Sequence, residues 1–344
     1  MPLRSMNRVW KCSALLLSAA LLLLAGCGNE TGGASQKQTT ASANVDWSQV
    51  KLILGDQAKG LRTVVEASKA FDGIPYQVEW ANFQGAAPLF EALRAGAVDL
   101  APAGDTPVLA AATGGAPLRI VAVRRSRSRS IAILVPKDSD IKTVADLKGR
   151  NVVISSARGS ISQYLLIRAL ADAGVNEADV KIGFVLPTDA LPAFNAGKID
   201  AWATFGVYQA FAEENGARVL LSGEGINTGL TFITASDEVL TDSLKRQAVN
   251  DVLQRFAKAF EWARNNQEEY ARIFAKTNDI PLPVSQRLHS WGLESLVPVE
   301  AQDVTALQGV DDLFVAKKIF PHAVDVAKLI DHDVFPEAQG VLLK

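Results

Sequence analysis

The chain has 344 residues, 48% of them hydrophobic and 21% charged, with a formal net charge of −2. That length suits two compact lobes with a sizeable core, and the mild acidity argues against general nucleic-acid binding. Its two cysteines, Cys12 and Cys27, both lie near the N-terminus, which leaves the rest of the chain neither a disulfide nor a thiol for catalysis.

Arg4, Arg8 and Lys11 form a basic start, and residues 14–24 are apolar apart from Ser18. The run is too short to span a bilayer comfortably and reads as a secretory signal over 1–26. It ends Leu24-Ala25-Gly26-Cys27, a cysteine after small residues that resembles a bacterial lipobox, with Cys27 the expected lipidation site. A cut after Gly26 also removes the three basic residues, so the mature chain is three charges more acidic than the full sequence. Residues 27–47, rich in Gly, Ser, Thr, Ala and Gln, read as a flexible tether.

Strand and helix signals alternate from residue 51. Strands are predicted at 51–54, 76–80, 98–101 and 118–123, with helices at 60–71, 87–94 and 107–113 between them. The pattern restarts with strands at 131–135, 151–155, 181–186, 199–203 and 219–221 and helices at 144–147, 162–173, 190–196 and 208–215. Such alternation predicts doubly wound, mostly parallel sheets. A further strand at 231–234 is expected to cross back to the first lobe. From Asp237 the pattern is helical, with segments at 242–265, 268–276, 284–291, 303–316 and 323–330 punctuated by Pro281, Pro283, Pro298 and Pro321. This tail is expected to pack on the first lobe. The implied division is 48–129 plus 235–344 for one lobe and 130–234 for the other.

One unit occurs twice. Leu93-Arg94-Ala95-Gly96-Ala97-Val98-Asp99-Leu100-Ala101 is echoed by Phe194-Asn195-Ala196-Gly197-Lys198-Ile199-Asp200-Ala201-Trp202-Ala203. Each copy reads as a helix end, a glycine stop and a short buried strand. Each then runs into residues that open a helix, Gly104-Asp105-Thr106-Pro107 and Thr204-Phe205-Gly206. Two lobes that both aim a helix N-terminus at a shared gap point to an anionic ligand, because those ends carry free N–H groups and a positive dipole end.

Candidate ligand-binding residues follow. Thr106 offers a hydroxyl donor, whereas Asp105 suits helix capping better than contact with an anion. Ser160 is a good N-cap and Gly159 permits close backbone approach, with Arg158 beside them as either an anion partner or a solvated charge. Phe205, Thr204 and Tyr208 sit around the second turn, and Asn227 and Thr228 are rim candidates before the return strand. The run Arg124-Arg125-Ser126-Arg127-Ser128-Arg129-Ser130 reads mainly as a solvated loop, with steering of anions as the alternative. His289, His322 and His332 all fall in the tail, far in sequence from the repeated turns, and no metal or nucleophile motif stands out. Asp331-His332-Asp333 reads as a surface helix end, and Asp311-Asp312 as a solvated helix face. No cofactor or metal is expected.

Several segments resemble the substrate-binding proteins of bacterial ABC importers for sulfonates, taurine and nitrate, nearest to the aliphatic-sulfonate branch. They are Gly104-Asp105-Thr106-Pro107, Ile133-Leu134-Val135-Pro136-Lys137-Asp138-Ser139, Val144-Ala145-Asp146-Leu147-Lys148-Gly149, Gly159-Ser160 with Tyr164-Leu165-Leu166, and Ala196-Gly197 with Asp200-Ala201-Trp202. The resemblance implies a type II-like periplasmic binding protein fold: two lobes joined by crossings near 129–133 and 230–235, closing on ligand about a hinge, with a helical C-terminal tail. It places Gln57, after the first strand, and Gln84-Gly85, before a helix, in the cleft, with Phe83 and Phe205 supplying apolar contact. It implies an exported, lipid-anchored monomer that binds no nucleic acid and hands an organic sulfonate to an importer permease for sulfur acquisition. Where the family often carries aromatic-Asp-Pro-Tyr, this chain has Phe205-Gly206-Val207-Tyr208. The missing Asp points away from taurine, if that carboxylate holds a ligand's cationic group. Nitrate, taurine, a sulfate ester, an aromatic sulfonate and a pyrimidine-precursor-type ligand stay open, as does a sensing module, whereas an enzyme on the same fold would need a catalytic histidine in the cleft and a cytosolic home, and is not expected.

Overall fold

The computed structural model describes residues 45–336, so the signal, Cys27 and most of the expected tether lie outside the described part. The first half runs β1 (Lys51–Gln57), α1 (Gly60–Ser68), β2 (Gln77–Phe83), α2 (Ala86–Arg94), β3 (Leu100–Gly104), α3 (Asp105–Thr113) and β4 (Leu118–Arg125). The second runs β5 (Ile131–Val135), β6 (Asn151–Ser155), α4 (Ile161–Asp172), β7 (Lys181–Val185), α5 (Pro187–Asn195), β8 (Ala201–Phe205), α6 (Gly206–Glu214) and β9 (Arg218–Ser222). The chain then returns through β10 (Leu230–Ser236) to α7 (Asp237–Thr241), α8 (Ser243–Asn265), α9 (Gln267–Asn278), α10 (Leu282–Ser290), β11 (Leu296–Val297) and α11 (Ala301–Ala316).

Two sheets result, ordered β11-β4-β10-β3-β1-β2 and β7-β6-β8-β5-β9. Each has a parallel core, β2-β1-β3 in one and β7-β6-β8 in the other, as the strand–helix alternation requires. The antiparallel pairings involve the strands beside the crossings, β10 against β3 and β4 and β5 against β8 and β9, together with β11 of the tail against β4.

The crossings lie at 126–130 and 223–229 rather than within the strands. β10 pairs along its whole length with the six-stranded sheet, so the boundary expected at 234/235 falls inside a strand that belongs to the first lobe. The two crossings bind each other: the Ser126 N–H donates to the Gly229 carbonyl at 2.8 Å, and the Ser128 hydroxyl donates to the Asn227 carbonyl at 3.3 Å.

The repeated unit has one physical job in both lobes. Gly96 and Gly197 adopt left-handed φ values of 70° and 69°, ending α2 and α5. Asp99 then accepts the Ile53 N–H at 2.7 Å, and Asp200 accepts the Asn151 N–H at 2.8 Å. Each aspartate clamps the start of its strand to the neighbouring parallel strand, which orients the strand's far end toward the gap between the lobes.

The tail packs largely as expected. Val252, Phe256 and Phe260 of α8 and Tyr270 and Phe274 of α9 share a core with Leu52, Leu54 and Ile233 of the first sheet. Four expectations need correction. α10 reaches across to the second lobe, where Arg287 bonds Glu213 at 3.0 Å and also Glu214, both on α6. The helix expected over 323–330 is a single 3-10 turn, Val326–Leu329. Asp311 is fully buried rather than solvated, accepting the Val324 N–H at 3.0 Å. Asp331 forms a two-point ion pair with Arg246 and ends no helix, and among the described residues no His/Cys/Asp/Glu group could hold a metal.

Gly229 has φ 74°, and a Cβ there would collide with the Ser126 carbonyl oxygen. Gly229→Ala is therefore expected to cost about 3 kcal/mol or more through strain plus the overlap with backbone. Urea unfolding against wild type measures it, with a loss below about 1 kcal/mol contradicting the constraint.

Candidate functional site

A cavity of about 600 Å³ lies where the C-terminal ends of the parallel strands of both sheets face each other. The N-termini of α2, α4 and α6 border it through Gly85, Ser160 and Gly206, so N–H groups without intrahelical acceptors ring the space.

The structure brings together Gln57, Gln84, Gly85, Arg158, Gly159, Ser160, Phe205 and Tyr208 at this cavity. Several are already committed to other partners. Gln57 donates its Nε2 to the Pro102 carbonyl at 2.7 Å, which leaves its carbonyl oxygen for a ligand. The Gly159 N–H donates to Gln163 Oε1 at 2.7 Å and is not free for an anion. Gly159 is there for its φ of 78°, and because a side chain would press on Phe320. Ser160 caps α4 by accepting the Gln163 N–H at 3.3 Å. Arg158 is exposed, its guanidinium 5.5 Å from the Phe184 ring centroid. Phe205 and Tyr208 meet edge-to-face at 6.5 Å. Gly206 has φ 57° with open space around a Cβ position, so backbone geometry, not packing, favours glycine over aspartate there.

Five candidates do not line the cavity. Phe83 packs against the core of the first sheet. Thr106 is fully buried with its hydroxyl unpartnered. Thr204 is fully buried and accepts the Ser155 hydroxyl at 2.9 Å. Asn227 is buried in a crossing, its amide donating to the Ile161 carbonyl at 3.1 Å. Asp105 accepts the Thr106 N–H at 2.6 Å and the Thr228 hydroxyl, tying α3 to a crossing. Burial pushes its carboxyl above the usual range, against which those two bonds favour the charged form. In each case the side chain serves the packing behind the cavity.

The residue that sequence reasoning misplaced is Arg124. It is not in a loop: β4 extends through Arg125, and consecutive strand residues face opposite ways. Arg125 points to α11, bonding Asp303 at 2.8 and 2.6 Å and Glu300 at 3.3 Å. Arg124 points to the cavity, its guanidinium 4.0 Å from the Phe260 ring centroid. Arg129 and Arg127 both face Glu224, at 2.9 and 4.0 Å. Among the described residues, Arg124 alone of the run has no carboxylate in contact, and its Nε is buried without a hydrogen-bond partner. Burial lowers its pKa, opposed by Tyr270 and Glu294, yet a guanidinium stays charged near neutrality. The available signal was the alternation of Ala122 and Val123, which pack in different cores, continued one step into the arginines.

Tail residues supply the wall beside Arg124: Phe260, Tyr270, Phe274, His289 and Trp291. His289 was expected far from the cleft. Its Nδ1–H donates to the Ser285 carbonyl at 2.8 Å, and its ring meets Tyr270 at 4.6 Å and Phe274 at 5.0 Å. Burial pulls its pKa down to about 4, so it is neutral near pH 7. Ser285, 3.4 Å away, donates its hydroxyl to the Ala271 carbonyl at 2.7 Å and is not poised as a nucleophile.

Two α/β halves joined by paired crossings, with a cavity between strand ends, define the two-lobed solute-binding proteins, the periplasmic binding protein fold. The chain belongs to the NMT1/THI5 like family, which matches residues 78–270. A relative from Escherichia coli (strain K12), named for the binding of aliphatic sulfonates, is 34% identical over 257 residues, 74% of this chain and 79% of its own. The alkanesulfonate-binding protein SsuA from Xanthomonas axonopodis pv. citri, solved bound to MOPS, is 29% identical with a TM-score of 0.74, over 83% of this chain and 99% of that one. The periplasmic aliphatic sulphonate binding protein SsuA from Escherichia coli is 31% identical with a TM-score of 0.74, over 86% and 95%.

The buried neutral histidine gives a pH signature. The unfolded chain takes up a proton near pH 6.5 that the folded protein refuses until about pH 4, so stability falls as pH drops through that window. The loss attributable to His289 is up to about 3 kcal/mol. His289→Gln is expected to flatten the curve between pH 6.5 and 4, read as the difference in unfolding free energy from wild type. Parallel curves for the two proteins would contradict a neutral buried ring.

Proposed function

We propose that the protein is an exported solute-binding lipoprotein that captures a small organic sulfonate and delivers it to an ABC importer, supplying the cell with sulfur. One observation carries the reading: Arg124 lines the cavity as a partly buried guanidinium with no carboxylate in contact. A buried cation without a counter-ion is costly, and an anion arriving from solvent relieves that cost. To the helix N-termini that the sequence offered, the site adds the positive charge of Arg124.

The sulfonate head sits against Arg124 and takes further hydrogen bonds from N–H groups in the first turns of α4 and α6 and from neighbouring polar side chains. The organic body lies among the apolar side chains of the wall. Neutral His289 adds no charge beside Arg124. Closure of the lobes about the paired crossings excludes water and strengthens every charged contact. Micromolar capture requires about 8 kcal/mol net, within reach of a few charge-assisted hydrogen bonds plus buried apolar area. A lipid on Cys27 holds the monomer at the outer face of a membrane, with residues 28–44 as its lead.

Arg124→Leu separates binding from folding. The substitution removes a desolvated charge, so the melting temperature of the ligand-free variant is expected to match or exceed that of wild type. The stabilisation that ethanesulfonate gives wild type is expected to vanish, with affinity reduced at least tenfold, about 1.4 kcal/mol or more. Calorimetric titration with ethanesulfonate, nitrate and sulfate checks both points. Wild-type affinity in the variant, or a response of the wild type to nitrate or sulfate alone, overturns the reading.

A further inference from the structure

The wall around Arg124 narrows the ligand beyond its anionic head. We infer that the cleft is built for a sulfonate whose body is a flat ring, rather than for a short linear alkanesulfonate. This rests on the sulfonate reading above and specifies its substrate class.

Three observations carry it. The first is the composition of the wall. Five ring-bearing side chains from successive tail elements line the cavity: Phe260 of α8, Tyr270 and Phe274 of α9, His289 of α10, and Trp291 just after it. A wall meant only to exclude water from a flexible alkyl chain needs no rings. Leu and Met serve that purpose with less demand on geometry.

The second is how the rings are fixed. Tyr270 meets His289 at 64° and Phe274 at 69°, while Phe274 meets His289 at 78°. Trp262 braces Tyr270 from the side at 80°. Interlocked edge-to-face rings hold one another in place and leave defined faces and edges for a further ring to stack on or meet edge-on. Phe260 is already covered by the Arg124 guanidinium, which places the charged head at one end of this wall. Trp291 is only partly buried and follows α10 directly, before Gly292 turns the chain at φ 104°. It is thus the ring most open to a ligand.

The third is room and polarity. A cavity of about 600 Å³ falls among those that hold drug-sized ligands and far exceeds a two-carbon sulfonate. His289 spends its N–H on the Ser285 carbonyl, so the rest of its ring faces a ligand as an uncharged aromatic surface with an acceptor nitrogen. The positively polarised edge of an aromatic ring, or a ring hydroxyl or amine, complements it. An alkyl chain offers neither.

The test compares benzenesulfonate with hexanesulfonate, which have equal carbon number, and with ethanesulfonate as a probe of the head alone. Titration calorimetry is run on the mature chain carrying Cys27→Ser. Benzenesulfonate is expected to bind about tenfold tighter than hexanesulfonate. Trp291→Leu is expected to abolish that preference, and Trp291→Phe to retain part of it. A melting temperature close to that of the wild type reports that a variant is folded, and Trp291→Phe serves alone if Trp291→Leu does not fold. Equal or tighter binding of hexanesulfonate by wild type overturns the inference and leaves the sulfonate reading intact. So does a Trp291 substitution that weakens all three ligands alike. Failure of all three to bind wild type overturns the sulfonate reading itself, and this inference with it.

Discussion

The two crossings must run pressed against each other, and the rest of the cleft depends on that. Gly229 lies so close to the Ser126 carbonyl that no side chain fits, and the 126–229 and 128–227 hydrogen bonds hold the pair. From this paired strap, bonds radiate to the elements that surround the ligand space. Thr228 holds Asp105 at the start of α3, Asn227 holds the Ile161 carbonyl at the start of α4, and Gln209 of α6 donates to the Arg129 carbonyl at 3.0 Å. Three helix starts are thereby positioned by one strap. A rotation about it changes the distance between lobes while each lobe keeps its own helix ends in place.

Charge is distributed around the same strap with a clear asymmetry. Arg125 and Arg129 are neutralised by Asp303, Glu300 and Glu224, and Arg287 closes on Glu213 and Glu214 from the opposite lobe. These pairs are partly solvated and each contributes modestly. Beside the tail's rings lies the partly buried Arg124 guanidinium resting on Phe260, with Arg94, Arg129 and the exposed Arg158 elsewhere on the cavity lining and His289 neutral. An anion with an apolar body is the complement of such a surface. The tail matters to function for this reason: it packs on the first sheet, reaches α6 across the cleft, and supplies the wall as well.

Much of the fold was legible because it rests on local rules. The alternation of strand and helix, the Ala-Gly stops at Gly96 and Gly197, and the N-cap at Ser160 each follow from a few neighbouring residues. The repeated aspartate was visible as a repeat, but its purpose was not. That Asp99 and Asp200 clamp the N–H of a strand some 46 and 49 positions earlier depends on which strands become neighbours. Gly85, Ser160 and Gly206 do border the cavity at helix starts, whereas Thr106, Thr204 and Asn227 were not recognised as buried supports. A turn can face a ligand with its N–H groups while its side chains point into the core behind.

The amino-acid sequence by itself determined the two α/β lobes, the positions of the strand-to-helix turns and the anionic character of the ligand they favour. These depend on hydrophobic periodicity, glycine conformation and helix dipoles, all of which act over a few residues. Only the tertiary structure decided which charges survive. Seven basic and hydroxyl side chains in a row look alike as a string, and it is their partners, 95 to 178 positions away, that silence Arg129 and Arg125 and leave Arg124 facing the rings of the tail. Electrostatic availability is set by what lies across space, and spacing along the chain carries no record of it.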